Sequence, residues 1–172
     1  MPSLLSYNKS TGNKPFLMML VGQPASGKTT FINDLGNLVV TRDTMVISSD
    51  YYIELEAKRL NSTYDQVFKD YIKTATDRSK QDFAEAIKNQ SNIIWDQTNL
   101  TVKSRAWKLA ALPSDYVKMC TILTVSPEVQ AERLASREGK QIPSNIINSM
   151  TDTFVWPSYD EGFDHILYRS GG

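Results

Sequence analysis

Gly22-Gln23-Pro24-Ala25-Ser26-Gly27-Lys28-Thr29 stands between an apolar run, Phe16-Leu17-Met18-Met19-Leu20-Val21, and a stretch patterned as a helix, Thr29 to Leu38. The loop fits G-x-x-x-x-G-K-[ST]. In that pattern glycines let the backbone turn its amides inward and approach phosphate oxygens closely. The helix behind it adds free N–H groups and the positive end of its dipole. Lys28 is expected to reach the β and γ phosphates of ATP, and the Thr29 hydroxyl to hold Mg2+. The expected nucleotide-binding set is Gly22, Gln23, Pro24, Ala25, Ser26, Gly27, Lys28, Thr29 and the adjoining Thr30. By itself the motif does not separate a phosphotransferase from a nucleotide-driven switch or motor.

Working outward, the apolar run before the loop reads as a strand buried on both faces. Thr44 to Ser48 reads as a second strand, ending on Ser49-Asp50. From Thr63 to Asn89 apolar residues recur at three and four, a helical period. Asn92 to Trp95 is a strand ending at Asp96. Thr101 caps a helix that stops at Leu112 before Pro113. Val117 to Val125 is a strand, and Ser126-Pro127 opens a helix with proline in its first turn. That helix is expected to end near Glu138-Gly139, with another over Pro143 to Phe154 and a last strand over His165 to Tyr168. Strands alternating with helices imply parallel βαβ units. The expected fold is therefore α/β: a three-layer P-loop NTPase fold with a central parallel sheet of four to five strands, flanking helices and a helical lid. Residues 1–14 read as a flexible leader and 15–172 as one domain.

Composition narrows the functions. Of 172 residues, 19 are Lys or Arg and 19 are Asp or Glu, so net charge does not make this a non-specific polyanion binder. Contact with nucleic acid is expected to be local, at an end or a short single strand. The apolar runs are too short to span a bilayer. Cys120 is the only cysteine, which excludes an internal disulfide and a cysteine-based metal cluster, and points to the cytoplasm and a buried thiol. Oligomeric state is not encoded in any feature of this kind.

Ligands of such folds bind at the carboxyl ends of the strands, and the chemically interesting residues fall there. Asp50 ends the second strand, where it can accept the proton of an attacking hydroxyl; the competing reading is a cap of the following helix. Asp96 follows Ile93-Ile94-Trp95 in the manner of an acid on Mg2+ or its waters; the competing reading is a simple strand terminus. Arg133 and Arg137 lie four apart, which on a helix is one face. The helix–loop–helix around them has the form of a lid whose guanidinium groups meet phosphoryl charge; a solvated helix face is the alternative. His165, the single histidine, reads as structural, and Trp107 and Trp156 as packing residues. Tyr51 and Tyr52 are placed for base stacking or for the core.

With those residues in view, the chain resembles the kinase domain of the polynucleotide 5′-hydroxyl kinases, such as the bacteriophage enzyme, over roughly residues 16–168. The loop is similar to that family's G-x-P-G-S-G-K-S. Ile47-Ser48-Ser49-Asp50 resembles its strand leading to the catalytic Asp. Ile93-Ile94-Trp95-Asp96-Gln97-Thr98-Asn99 is similar to its D-T-N or D-N-T-N strand end. Arg133 and Arg137 fit its lid arginines, followed by a glycine, a lysine and Ile-Pro. The resemblance implies Lys28, Asp50, Arg133 and Arg137 as catalytic residues, Thr29 and Asp96 at the metal, ATP and Mg2+ as cofactors, and a nucleic-acid 5′ end as substrate in end repair. Ile53 stands where the phage enzyme has an arginine that holds the substrate strand. The acceptor contacts are therefore expected to differ, with Lys58, Arg59 and Arg105 as candidates. No Asp-x-Asp phosphatase motif follows, so no 3′-phosphatase activity is expected.

A second resemblance runs through Asp-Gln-Thr-Asn, Gly-Lys-x-Ile-Pro, Phe154-x-x-Pro157 and Glu161-Gly-Phe163-Asp164-x-Ile166-x-Tyr168. These are similar to the P-loop domain of the heterogeneous nuclear ribonucleoprotein U type, which implies RNA binding and nucleotide-dependent assembly. The readings in play are thus an ATP-dependent kinase of the 5′-OH of DNA or RNA, a kinase of a hydroxymethylated DNA base or small hydroxyl metabolite, a non-catalytic nucleotide-gated RNA-binding module, and a plain ATPase.

Overall fold

β1 (Phe16–Val21) occupies the middle of the molecule, and every one of its side chains is 3% exposed or less. The computed structural model describes residues 14–35 and 44–171. The expected leader, apart from Lys14, lies outside the described residues, as does the expected end of the first helix at 36–38. In chain order the remaining elements are α1 (Lys28–Leu35), β2 (Thr44–Ile47), α2 (Ser49–Arg59), α3 (Tyr64–Lys88), β3 (Asn92–Trp95), α4 (Val102–Ala110), β4 (Val117–Thr124), α5 (Pro127–Ala135), α6 (Ser144–Asp152) and β5 (His165–Ser170).

The five strands form one parallel sheet in the order β2-β3-β1-β4-β5. β1 pairs with β3, Leu17 opposite Ile93, and with β4 from Phe16 opposite Val117 to Val21 opposite Ile122. Because strand side chains alternate, Leu17, Met19 and Val21 pack with Phe83 and Ala86 of α3 and Leu109 of α4. Phe16, Met18 and Leu20 pack with Phe31 and Leu35 of α1 on the other face. Helices on both sides explain why β1 is uniformly apolar. Cys120 is buried in β4, as expected.

Element ends follow local chemistry. Thr63, Thr101 and Ser126 each cap a helix by accepting a backbone N–H three residues on. β2 stops at Ile47, one residue earlier than expected, because Ser48 is the cap of α2 and accepts from Tyr51 N. Asp50 is therefore not the cap; it sits inside the first turn.

α5 also ends earlier than expected, at Ala135. The Ser136 hydroxyl bonds back to Arg133 O, and Arg137 N donates to Leu134 O in a tight turn. Serine competes with the helix for backbone partners. Arg137 consequently lies in the turn beyond the helix, and the expectation that it shares a helix face with Arg133 is corrected.

A second correction concerns Arg105. It is 0% exposed, so it is no substrate contact. Its guanidinium grips Glu161 through Nε to Oε2 at 2.7 Å and Nη2 to Oε1 at 2.8 Å. Nη1 donates to Asn99 O and Val155 O at 2.9 and 3.0 Å. One buried cation thus ties α4, the turn after β3 and the segment before β5 together. Removing one partner leaves a buried charge uncompensated. Arg105→Met or Glu161→Ala is expected to lower unfolding free energy by about 3–5 kcal/mol, and the double change by less than the sum of the two. Urea titrations of the three variants test this, and strict additivity would contradict it.

Candidate active site

The carboxyl ends of β1, β2 and β3 converge. Gly22 N donates to Thr98 O at 3.0 Å, joining the loop after β1 to the turn after β3, and Asp96 N donates to Ile47 O at 2.9 Å, joining that turn to β2. A Cβ on Gly22 would lie 2.5 Å from Leu123 O and 2.6 Å from Ser26 Oγ, so only glycine fits. Gly27 takes a φ of +95°, and Ala25 a φ of 65° in the left-handed region. Holding alanine there costs roughly 1–2 kcal/mol. The Ser26 hydroxyl is buried without a hydrogen-bond partner among the described residues. An orphaned donor inside a strained, inward-turned loop fits a cradle whose bonding is completed by a phosphate group.

Lys28 opens α1 and folds back over the loop, donating to Gly22 O and Gln23 O at 2.9 Å each. Burial lowers its pKa to about 8 against the opposing pull of Asp96 and Asp50. Burial also raises the carboxyl of Asp96, with Lys28 pulling the other way. Arg137 and Lys140 lie within electrostatic reach of Lys28 as well. Arg133 Nη1 donates to Ala25 O at 3.2 Å. The structure thus brings Lys28, Asp50, Asp96, Arg133 and Arg137 to one place, while Thr29 and Thr30 are exposed in the first turn of α1.

Asp50 is held from both sides. Its Oδ1 accepts from the Tyr64 hydroxyl at 2.9 Å and its Oδ2 from Lys140 Nζ at 2.8 Å. The Asp50 side chain is nevertheless 50% exposed, so it can still be approached from solvent. Lys140 also donates to Glu54 at 2.8 Å and lies 4.2 Å from the centre of the Tyr64 ring. The sequence reading treated Lys140 only as part of the lid pattern; ninety residues separate it from Asp50. Ile53, in the position of the family's arginine, is 0% exposed and packs with Ala57, Val67 and Ala75.

Gln23 joins the loop to both helices of the lid region. Its Nε2 donates to Thr151 Oγ1 of α6 at 2.8 Å, and its Oε1 accepts from Gln130 of α5 at 2.9 Å. Gln130 donates to Pro24 O too, at 3.0 Å. Behind the site lies Lys108, another residue the sequence reading did not single out. It is 2% exposed, donates to Gln97 Oε1 at 3.0 Å and to Asn99 Oδ1, and sits 4.5 Å from the Trp95 ring centre. Gln97 continues to Ser49 Oγ, and Asn99 to Leu20 O at 2.7 Å. A buried amine therefore locks the turn that presents Asp96 and the Thr98 carbonyl. Neither a periodicity nor a motif marks such a lysine; its signal is its place on the apolar face of α4.

Of the aromatic residues, Trp107 packs edge-on against Trp95 and Phe83. Trp156 meets Phe154 edge-on but stays 53% exposed. Tyr51, beside Asp50, is 58% exposed. His165 opens β5 opposite Met119. No group of three or more His, Cys, Asp or Glu side chains suited to a metal occurs among the described residues. Thr29 and Asp96 instead suit Mg2+ shared with nucleotide phosphates and water. No helix among the described residues is long and apolar enough to cross a membrane.

A glycine-rich cradle at the end of a central parallel strand, facing an acid at the end of the neighbouring strand, defines a P-loop domain. The chain belongs to the AAA domain family, whose model matches residues 17–157. It is similar to a bifunctional polynucleotide phosphatase/kinase of Schizosaccharomyces pombe, 26% identical over 155 residues, covering 87% of this chain and 32% of that protein. The chain thus spans about a third of that relative. Its fold is shared with a structure of the Pnkp1/Rnl/Hen1 RNA repair complex, at a TM-score of 0.59 and 22% identity over 85% of this chain and 46% of the other. It is shared also with shikimate kinase from Acinetobacter baumannii in complex with shikimate, at a TM-score of 0.56 and 16% identity over 96% and 89% of the two chains.

Burial pushes the Lys108 pKa down to about 7. The unfolded lysine keeps its proton to about 10.4. Between those values the unfolded chain binds the proton that the folded chain has released, so stability rises with pH from about 7 to about 10. Below 7 both states hold it and the dependence vanishes. Denaturant midpoints from pH 6 to 10 are expected to climb, with Lys28 adding the same sign from about 8. Lys108→Met is expected to flatten the portion between 7 and 8; an identical profile in that variant refutes the assignment.

Proposed function

We propose that this domain transfers the γ-phosphoryl group of ATP to a hydroxyl acceptor, most specifically the 5′-OH of a DNA or RNA strand. The observation that carries the reading is Asp50: a solvent-reachable carboxylate, oriented by Tyr64 and Lys140, within electrostatic reach of Lys28 of the phosphate loop. Phosphoryl transfer to a hydroxyl uses such a group to orient the nucleophile; a hydrolase would use it on water, which the acceptor assay below separates. The polynucleotide acceptor is supported by the fission-yeast relative, whose name carries polynucleotide kinase.

Bound ATP with Mg2+ supplies the electrophilic phosphoryl group and bridges its charge. Backbone N–H groups between Ala25 and Thr29 would hold the phosphates, and Lys28 would exchange its bonds to Gly22 O and Gln23 O for phosphate oxygens. Thr29 and Asp96 hold the metal. Asp50 takes the acceptor's proton as the new P–O bond forms and the β–γ bridging bond breaks. Arg133 and Arg137 meet the charge on the transferred oxygens. Lys140 positions Asp50 from the lid side.

Ile53 favours a second reading. Its burial leaves no cation at that point of α2 for a phosphate on the acceptor strand, which suits a hydroxymethylated base or a small hydroxyl compound. Asp50→Asn is expected to lower phosphoryl transfer by about 10²–10⁴-fold while ATP affinity stays within about twofold of wild type. Transfer of radiolabelled γ-phosphate to 5′-OH DNA, 5′-OH RNA, hydroxymethylated DNA and small hydroxyl compounds, measured in parallel, identifies the acceptor. Unchanged transfer in the variant rules out Asp50 as the base. Label recovered only as free phosphate with every acceptor replaces the kinase by an ATPase, and nucleotide binding without turnover replaces it by a nucleotide-gated RNA-binding module.

A further inference from the structure

The start of α3 presents Thr63, Tyr64 and Asp65 in succession. Thr63 is fixed by a capping box: its hydroxyl accepts from Gln66 N, and Gln66 Oε1 accepts from Thr63 N at 2.9 Å. Tyr64 donates to Asp50. Asp65 makes contacts that the site above does not use. Its N–H donates to Gly139 O at 3.1 Å, and its Oδ2 accepts from Gln141 N at 2.8 Å. One residue thus holds a carbonyl and an N–H on either side of Lys140, in the turn between α5 and α6. Two bonds to points two residues apart fix the direction of that turn as well as its distance.

The turn is shaped for this contact. Gly139 takes a φ of +67°, and a Cβ on it would come 3.0 Å from Thr63 Cβ and 3.1 Å from Thr63 Cγ2. Only glycine combines that backbone with so close an approach to the helix cap. Gln141 Nε2 donates back to Arg137 O and closes the turn on itself. α5 and α6 carry no buried side chain, so apolar packing holds the turn only weakly and its polar bonds decide where it sits. What the turn carries depends on that place. Lys140, between the two gripped residues, reaches Asp50 Oδ2 and Glu54 Oε1 at 2.8 Å each. Arg137, at the other end of the turn, acts on Lys28 through space.

We propose that Asp65 is a positioning residue for phosphoryl transfer: it clasps the turn around Lys140, so that Lys140 meets Asp50 and Arg137 faces the phosphate loop. It acts through the turn and not on substrate. This rests on the phosphotransferase reading, whatever the acceptor, and adds to it the residue that joins the lid turn to the base. The start of α3 then orients Asp50 twice, directly through Tyr64 and indirectly through Asp65 and Lys140. Asp65 is exposed, so replacing it leaves no cavity in the core.

The test compares wild type, Asp65→Ala and Asp65→Asn, the last of which keeps an acceptor oxygen for Gln141 N. With the best of the acceptors named above, Asp65→Ala is expected to lower kcat about tenfold, the worth of one charge-assisted hydrogen bond. KM for ATP is expected to stay within about twofold, which also shows that the phosphate loop is folded. Asp65→Asn is expected to recover most of the rate. Limited trypsin digestion reads the clasp without any turnover. Cleavage after Arg137 and Lys140 is expected to be about tenfold faster in Asp65→Ala than in wild type, because opening of the turn grows by the same factor. Unchanged cleavage in Asp65→Ala overturns the clasp. Faster cleavage with unchanged kcat overturns its part in transfer, and so does an Asp65→Asn protein as slow as Asp65→Ala. A wild type inactive on every acceptor overturns the function proposed above, and the digestion still decides the clasp on its own.

Discussion

The hydrogen bond from Gly22 N to Thr98 O joins the two segments on which the site is built. One is the phosphate loop leaving β1; the other is the turn carrying Asp96 out of β3. The bond forms only because β1 and β3 are direct neighbours, and because Gly22 has no Cβ to strike Leu123 O on the other side. A fully buried central strand therefore sets the position of the cradle to within the tolerance of one hydrogen bond. Phosphoryl transfer depends on that tolerance, since most of its catalysis is positioning and charge placement.

Three cations around this junction, two buried and one half-buried, are handled in different ways. Arg105 has a carboxylate partner in Glu161 and serves as a fixed tie. Lys108 has only amide oxygens and ring faces, so burial acts on it almost unopposed and brings its titration near neutrality. Lys28 is half-buried over the loop but faces Asp96 and Asp50, which restore part of its affinity for the proton. The gradation matches the roles. The tie has a carboxylate to hold, while the loop lysine donates only to the carbonyls of Gly22 and Gln23.

The acceptor side is built from parts far apart in the chain. Asp50 enters on α2, Tyr64 on α3 and Lys140 on the turn between α5 and α6. Gln23 links the loop to α5 and α6 at the same time. A change between α5 and α6 is thus felt at both the phosphate loop and Asp50.

Much of this was legible in the order of residues. The apolar run 16–21, the spacing of Gly22, Gly27, Lys28 and Thr29, and the acids that follow β2 and β3 point to a parallel α/β sheet with a phosphate cradle, because strand burial and backbone φ are local demands met by local residue types. The helix starts at Thr101 and Ser126 were readable for the same reason. What only the tertiary structure decided is which side chains meet across long separations. Arg105 went to Glu161 and not to substrate, Ile53 went to the core, Arg137 fell outside its helix, and Lys140 reached Asp50. Such outcomes depend on which charges find partners once burial has removed water, and that is a property of the packed fold.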